Sequence, residues 1–275
     1  MSKYPIRIIL FWLTVVSTFV TGYQMGGGLI DGALYCVSIM GILLAHEMGH
    51  YLMCRRYGVQ ATLPIFIPMP LNLFGTMGAV IRIKSPIPHR RALFDIGVAG
   101  PLAGIALAAP IAIVGMKWSH VVDNAMFSDA AITLGEPLFF RLLAHLQFGS
   151  IPPGSDVSIH PVAFAAWTGF FVTALNLLPV GQLDGGHVIY ALFGRQSRYV
   201  FAGILGLVVT LSITTVVFPT YGVILLIFVL IFGLEHPPTI YDFVPLDGKR
   251  RFVALAVLLV FIICFTPYPL YMKSG

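Results

Sequence analysis

The chain has 275 residues, of which 58% are hydrophobic and only 10% are charged, and its mean hydropathy is +0.91. Soluble domains carry about 25% charged residues, so this composition excludes an ordinary water-soluble enzyme. It favours helices in a lipid bilayer, where every backbone polar group must be satisfied internally. The net charge of +5 comes from basic residues at the ends of apolar runs, and no nucleic acid partner is expected.

Seven apolar segments predict an all-α polytopic membrane protein with six to seven transmembrane helices. The whole chain, 1–275, is expected to form a single integral-membrane domain. The segments lie at 8–22, 29–54, 92–116, 161–193, 199–217, 221–234 and 252–268. The first resembles a signal peptide, but no clear cleavage site follows it, so an uncleaved helix is expected.

The basic residues predict the orientation of these segments, because cytoplasmic loops carry an excess of lysine and arginine. With the N-terminus in the cytoplasm, 13 of the 16 basic residues lie on the cytoplasmic side. The exceptions are Lys117, Arg141 and Lys273. We therefore expect a multi-pass protein with a cytoplasmic N-terminus.

The second segment contains an HExxH motif, His46-Glu47-Met48-Gly49-His50. On a helix, His46 and His50 lie one turn apart on the same face, so both imidazoles can bind one metal ion. Glu47 lies beside that face and can accept a proton from a water molecule activated there. Such ionisable side chains are costly in lipid unless they serve a site. We predict one Zn²⁺ per chain, with Glu47 as the catalytic base.

A catalytic zinc needs a third protein ligand and one open position. Besides Glu47, the carboxylates within apolar segments are Asp31, Asp95 and Asp184. At ~1.5 Å per helical residue, Asp184 lies roughly 16 Å inward from Arg195. By the same estimate, His50 and His46 lie roughly 8 and 14 Å inward from Arg55, which is a similar depth. Asp184 is therefore the predicted third ligand. His187, one turn later, is a rival ligand or a residue that orients the site through a hydrogen bond.

The residues before Asp184 predict a break in their helix. Pro179 and three glycines lie between Asn176 and His187, inside an apolar segment. Irregular backbone at membrane depth is tolerated only around a cavity or inside the protein. A cavity is therefore expected beside Asp184.

These motifs together resemble the site-2 protease family of intramembrane zinc metalloproteases, in a form without PDZ or CBS domains. The resemblance rests on HExxH, on Asn176-x-x-Pro179 followed by Leu183-Asp184-Gly185, and on the glycine-rich stretch 97–104. The matching core covers about 29–195, and residues 196–275 are expected to add further transmembrane helices.

The resemblance implies a role for each matched residue. His46, His50 and Asp184 would bind zinc, and Glu47 would activate water. Asn176 would hold the substrate backbone, with Pro179 in the same substrate-binding motif. Outside these roles, Gly97, Gly100 and Gly104 are interpreted as small residues for close helix packing, and Asp95 as a helix cap or salt-bridge partner.

Residues 59–91 contain five prolines, so no helix is expected to cross them. Ile81-Arg82-Ile83-Lys84 alternates apolar and basic residues, which predicts a strand. One interpretation is an amphipathic hairpin on the lipid headgroups. The other, which we favour because the family resemblance implies a short re-entrant β element here, is an edge strand to which an unwound substrate adds. Substrate-binding residues would then include Val80, Ile81 and Arg82.

The sequence thus predicts an intramembrane zinc metalloendopeptidase that performs regulated intramembrane proteolysis. Its partners would be the bilayer and a single-span membrane protein substrate, cleaved toward the cytoplasmic side. Recruitment would fall to the membrane core, the 117–160 connection or a separate regulatory protein. A prenyl-protein protease usually has glutamate as third ligand, for which no convincing intramembrane candidate exists. The remaining alternative, a non-proteolytic membrane metal-binding or transport protein, would not require Glu47.

Overall fold

A computed structural model describes residues 4–123, 132–214 and 236–272, with short pieces at 222–223, 226–227, 229–230 and 233. Its helices are α1 (Tyr4–Gly26), α2 (Leu29–Arg56), α3 (Arg90–Trp118), α4 (Leu138–Phe148), α5 (Pro161–Asn176), α6 (Asp184–Phe193), α7 (Ser197–Thr214) and α8 (Gly248–Cys264). Its strands are β1 (Ile65–Pro68), β2 (Thr76–Val80), β3 (His120–Asp123), β4 (Ile132–Leu134), β5 (Ser155–Ser158) and β6 (Leu270–Met272). They form the antiparallel pairs β1–β2, β3–β5 and β4–β6. The prediction of a mostly helical protein is confirmed.

Among the described residues, three helices are long and apolar enough to cross a bilayer: Pro5–Gly26, Leu29–Arg56 and Arg90–Trp118. The predicted segment 161–193 is divided into α5 and α6, with the break at 177–183 that Pro179 led us to expect. Much of the predicted segment 221–234 lies outside the described residues. The count of six to seven transmembrane helices therefore stays a prediction.

Helix α2 lies at the centre of the bundle, where it packs against α1, α3 and α5. Its apolar side chains Tyr35, Ile39 and Ile42 are almost fully buried in the main core. Gly49, inside the HExxH motif, has no room for a side chain, because a Cβ there would overlap the backbone of Ala99 on α3. The close approach of α2 and α3 therefore fixes the face that carries the two histidines.

Strands β1 and β2 form a hairpin that lies beside α1, with Ile65 opposite Val80. The turn of the hairpin contacts the N-terminal part of α2, far from the HExxH motif. There the Tyr35 hydroxyl donates to the carbonyl of Phe74 at 2.9 Å. The Ser17 hydroxyl of α1 also donates to the Gly75 carbonyl at 2.6 Å. The hairpin is therefore packed along the helices over much of their length.

The segment 81–84 lies just after β2, so the predicted strand is displaced from the assigned one. Pairing nevertheless continues past Val80 as isolated contacts, because the Thr62 N–H donates to the Arg82 carbonyl at 3.0 Å. The Lys84 N–H donates to the Gln60 carbonyl at 2.7 Å. The alternation corresponds to two faces of the segment, since Ile81 and Ile83 pack inward while Arg82 and Lys84 are exposed.

Helix α8 is anchored to α2 and α3 by a polar cluster. Arg250 pairs with Asp95 at 2.6 Å and donates to the Tyr57 hydroxyl at 3.1 Å, and Tyr57 also bonds to Asp95. Burial, together with the carboxylate of Asp95, raises the pKa of Tyr57. Asp247 caps α8 by accepting the Arg250 N–H at 3.0 Å, and this N–H lowers the pKa of the Asp247 carboxyl. The prediction that Asp95 forms a salt bridge is confirmed.

Candidate metal and catalytic site

The three predicted metal ligands meet at one point between α2 and the first residue of α6. His46 Nε2 and His50 Nε2 are 3.1 Å apart. His46 Nε2 lies 3.3 Å from Asp184 Oδ2, and His50 Nε2 lies 3.3 Å from Asp184 Oδ1. The similar depth inferred from the sequence corresponds to direct proximity of these side chains. Their role as ligands stays a prediction.

Hydrogen bonding leaves bare lone pairs at the centre of this cluster. His50 Nδ1 lies 2.7 Å from the carbonyl of Ile96, which can only accept, so the ring proton of a neutral His50 is on Nδ1. Its Nε2 then carries a lone pair directed to the cluster. Asp184 Oδ2 is buried and has no hydrogen-bond donor among the described residues. Acceptors this close repel one another unless a cation lies between them.

This donor set fits a zinc ion. Two imidazoles and a carboxylate are ligands that zinc takes in hydrolases. Ligand atoms of a tetrahedral zinc with bonds of about 2.0–2.1 Å stand about 3.3 Å apart. The two imidazole nitrogens are 3.1 Å apart, and each lies 3.3 Å from a different oxygen of Asp184. Within the described residues, His46, His50 and Asp184 are the group whose ligand atoms could hold a metal ion. A zinc ion bound there would satisfy the lone pairs.

Glu47 lies next to the cluster on α2, with only 8% of its surface exposed. Its Oε2 accepts the backbone N–H of Ile81 at 2.8 Å. This bond links the predicted base to the segment that follows β2. The carboxylate keeps its remaining lone pairs for a proton, as a general base requires.

The glycines of α3 form the wall behind the histidines. A Cβ on Gly100 would overlap the ring of His50, and one on Gly104 would lie 3.2 Å from His46 Nδ1. A Cβ on Gly97 would lie 2.9 Å from the Cβ of His187. Close packing was the expected role of these glycines, and what they pack against is the side chains of the site.

The loop between α5 and α6 brings Asn176 and Asp184 to the same place. Asn176 is the last residue of α5, and its Nδ2 lies 3.2 Å from His46 Nε2. Pro179 lies in the loop that follows, where no helix forms. Gly185 permits the tight turn, because a Cβ there would overlap the carbonyl of Leu177. Asn176 is thus beside the predicted metal ligands, whereas Pro179 lies in the loop that precedes Asp184.

The predicted substrate-binding residues Val80, Ile81 and Arg82 all line one open cavity of about 680 Å³ above the site. Their backbones face different ways. Val80 pairs with Ile65, and the Arg82 N–H donates to Thr62 Oγ1 at 3.0 Å. Only Ile81 of these three is shown directing its N–H toward the site. The Ile81 N–H therefore faces away from β1 and toward Glu47, because alternate residues of a strand face opposite edges.

His187 and His236 also line this cavity. His187 Nδ1 lies 2.6 Å from His236 Nε2, and His187 is not part of the three-residue metal group. Sequence reasoning missed His236 because it lies 49 positions further along the chain in a short proline-rich turn. Nothing in its local pattern signals a contact with α6.

The chain is similar in sequence to known zinc metalloproteases. Residues 34–218 match Peptidase family M50. The probable zinc metalloprotease EGY1, chloroplastic, of Arabidopsis thaliana is 36% identical over 177 residues, which cover 62% of this chain and 32% of that protein. EGY2 of the same plant, also a probable chloroplastic zinc metalloprotease, is 31% identical over 252 residues, 87% of this chain and 42% of that protein.

The corresponding EGY2 protein of Oryza sativa subsp. japonica is 30% identical over 254 residues, which cover 87% of this chain and 43% of that protein. The chain thus spans less than half the length of these curated relatives. No solved structure matches. The family match covers both HExxH and the Asp184 motif, and the chain belongs to Peptidase family M50, the site-2 protease family of zinc metalloproteases.

Proposed function

We propose that the chain is an intramembrane zinc metalloendopeptidase that cleaves the transmembrane segments of membrane-anchored substrates. The observation that carries this proposal is the convergence of His46, His50 and Asp184, within 3.3 Å, inside a bundle of apolar helices. A base, Glu47, lies on the same helix as the two histidines. A metal site beside a general base is an arrangement that can hydrolyse a peptide bond.

The three ligands would hold one zinc ion per chain. When bound, zinc supplies Lewis-acid chemistry that polarises a water molecule and the scissile carbonyl. The Ile96 carbonyl fixes the His50 ring so that its Nε2 is ready to bind. The glycine wall of α3 holds both rings from behind. These contacts position the ligands before a metal arrives.

Glu47 would move the protons of the reaction. Its carboxylate accepts a proton from the attacking water as the new carbon–oxygen bond forms. It then gives that proton to the amine nitrogen as the carbon–nitrogen bond breaks. The Ile81 N–H holds Oε2 at 2.8 Å, so the carboxylate is oriented by the strand segment rather than by solvent.

Asn176 would orient the substrate beside the ligands. Its amide is 3.2 Å from His46 Nε2, and a carboxamide can both donate to a peptide carbonyl and accept from a peptide N–H. Pro179, in the same loop, keeps the backbone out of a helix and so preserves the cavity.

The segment after β2 would present the substrate in an extended form. A transmembrane helix hides its peptide bonds in its own hydrogen bonds, and hydrolysis needs them unwound. The backbone edge at Ile81 faces Glu47, so a peptide added to this edge would lie next to the base. The role of Val80 and Arg82 would be to hold that edge against the first strand of the hairpin.

The surroundings of the hairpin support a re-entrant position in the membrane. Its turn touches α1 at Ser17 and α2 at Tyr35, which lie far from the basic end of α2 at Arg55. With the N-terminus in the cytoplasm, as the basic residues predict, the hairpin would enter from the cytoplasmic side, and the active site would face that side.

Co-expression with a panel of single-span membrane proteins tests this function. We expect fragments cut within the transmembrane segment with the unchanged chain and none with Glu47→Gln. Fragments that persist with Glu47→Gln would contradict the proposed base. Metal uptake that does not depend on Glu47, without any fragment, would favour the metal-carrier alternative.

A further inference from the structure

The cavity has a second side, formed by His187 and by the segment His236–Thr239. The two parts are joined by the 2.6 Å contact between His187 Nδ1 and His236 Nε2. Neither part carries a role in the mechanism above. Ile81 and Glu47 line the same cavity, so the second side shares one space with the strand edge and the base.

The hydrogen bonds fix the tautomer of both rings. His236 Nδ1 lies 2.6 Å from the carbonyl oxygen of Pro237, which can only accept, so Nδ1 carries a proton. Burial lowers the pKa of His236, which favours the neutral ring, and with the proton on Nδ1 the Nε2 of the neutral ring is an acceptor. His187 Nδ1 must then be the donor. The remaining ring nitrogen of His187, Nε2, is left with a lone pair.

The segment is held in place by two backbone hydrogen bonds and by a ring contact of His236. The N–H groups of Ile240 and Tyr241 donate to the carbonyls of Ile87 and Pro88 at 3.1 and 2.8 Å. The ring of Tyr190 stacks on His236, with 4.6 Å between the centroids. The second side of the cavity is therefore a preformed surface, which lowers the entropy that a ligand loses on binding.

This surface is rich in hydrogen-bond acceptors. Pro237 and Pro238 have no N–H, so their backbone offers only carbonyl oxygens, of which that of Pro237 has one lone pair left beside the one that accepts from His236 Nδ1. The fixed tautomer of His187 adds an acceptor nitrogen. An extended peptide has two edges, and pairing with the strand satisfies only one of them. In a cavity within the membrane, the N–H groups of the other edge need acceptors from the protein.

We propose that His187 and His236–Thr239 form a second wall of the substrate cleft, which binds peptide N–H groups on the edge that faces away from Ile81. His236 is a positioning residue in this wall, because it fixes the proton on His187 Nδ1. The inference rests on the proposed function, since it assigns the substrate an extended conformation. It predicts recognition of the peptide backbone rather than of particular side chains.

Binding of a defined peptide tests the wall without relying on cleavage. The probe is a fluorescent peptide with 20 apolar alanine, leucine and glycine residues between lysines, and a set of copies carries one N-methyl group each. N-methylation removes a single N–H. Dissociation constants are measured in detergent with the zinc-loaded Glu47→Gln protein, and again after adding His187→Ala, His236→Ala or His236→Gln. His145→Ala, on α4, is the matched histidine control.

We expect at least one N-methyl position to weaken binding about tenfold, as the loss of one well-formed hydrogen bond does. The weakening of binding caused by the same N-methyl group should fall below about threefold with His187→Ala or His236→Ala. It should return with His236→Gln, whose amide oxygen can accept from His187 Nδ1, and it should be unchanged with His145→Ala. Bound zinc measured on each variant shows that the metal site is intact.

Penalties that stay the same with both alanine variants, or peptide binding too weak to measure, would overturn the second wall. Zinc lost with His187→Ala and His236→Gln alike would also overturn it, because both residues would then support the metal site. The proposed protease activity is judged separately, by cleavage of the same unmethylated peptide with the protein that retains Glu47. If the peptide is cleaved but N-methylation does not weaken binding in this pattern, the proposed protease activity stands and the second wall is wrong.

Discussion

At the scale of single residues, Gly100 shows why a missing side chain matters as much as a ligand. The His50 ring occupies the space where its Cβ would be. The sequence indicates close helix packing at Gly100, but it does not show that the group packed against this glycine is the ring of His50. His46, Glu47 and His50 could be predicted because their spacing is local, and Asp184 because few carboxylates lie at that depth. The Ile96 carbonyl and His236 could not, since both contacts join distant parts of the chain.

Gly100→Ala tests this steric requirement. We expect the affinity for zinc to fall at least tenfold, because the new methyl group displaces the His50 ring from the ligand position. Gly203→Ala is the control, since a Cβ on this α7 glycine meets nothing within 4 Å. Zinc affinity is measured by competition with a chelator. Equal affinity for zinc in both variants would show that Gly100 of α3 has no part in holding the His50 ring.

At the scale of elements, the contact between α2 and the segment after β2 connects the proposed base to the proposed substrate edge. The alternation at 81–84 predicted a strand, and these residues lie just after β2, where pairing continues as isolated contacts. The strand bounds could not be predicted, because they depend on pairing with residues 60–68 rather than on local pattern. The bond from Ile81 to Glu47 is likewise a long-range feature.

Ile81→Pro removes the N–H that holds Glu47 while leaving the metal ligands in place. We expect near-normal zinc content and a fall in cleavage of about 10–100-fold, the usual effect of losing a group that orients a catalytic residue. Ile81→Ala retains the N–H and should have a much smaller effect. Both are measured on a purified protein with one transmembrane peptide. Full activity in the proline variant would mean that the strand segment does not orient the base.

Helix α8 is a second case at this scale, because one polar cluster secures it. Asp95→Asn removes a partly buried partner of Arg250, so the free energy of unfolding should fall by about 1–3 kcal/mol. Glu136→Gln breaks the exposed pair with Arg141 and should cost about 0.5 kcal/mol or less. Unfolding in detergent is followed by helical circular dichroism. Equal losses in the two variants would contradict an anchoring role for Asp95.

At the scale of the whole molecule, the composition already indicates a membrane protein, and three long apolar helices agree with it. Hydropathy alone could not divide 161–193 correctly, because α5, the loop and α6 are all apolar. Pro179 and the glycines supplied that information. The hairpin is hardest to predict, since its position depends on contacts with α1 and α2 rather than on its own sequence.

Reporter fusions test the orientation of the whole molecule. Fusions after Arg56 and Arg195 should be cytoplasmic, and one after Gly154 should be on the other side, because basic residues are concentrated near the first two. The readout is a pair of reporters, one active only in the cytoplasm and one only outside it. An external signal after Arg56 would reverse the orientation and place the site toward the other face.

The most direct test of the account is zinc content measured beside cleavage in variants of the site. Glu47→Gln keeps the shape of the side chain but cannot act as the base, so zinc should be near one per chain while cleavage falls by at least about 100-fold. Asp184→Ala should lose zinc and cleavage together, and His187→Ala should keep more zinc than Asp184→Ala. Elemental analysis of the purified proteins and cleavage of one transmembrane peptide supply the two values. If Asp184→Ala retains full zinc while His187→Ala loses it, the metal site has been assigned to the wrong residue.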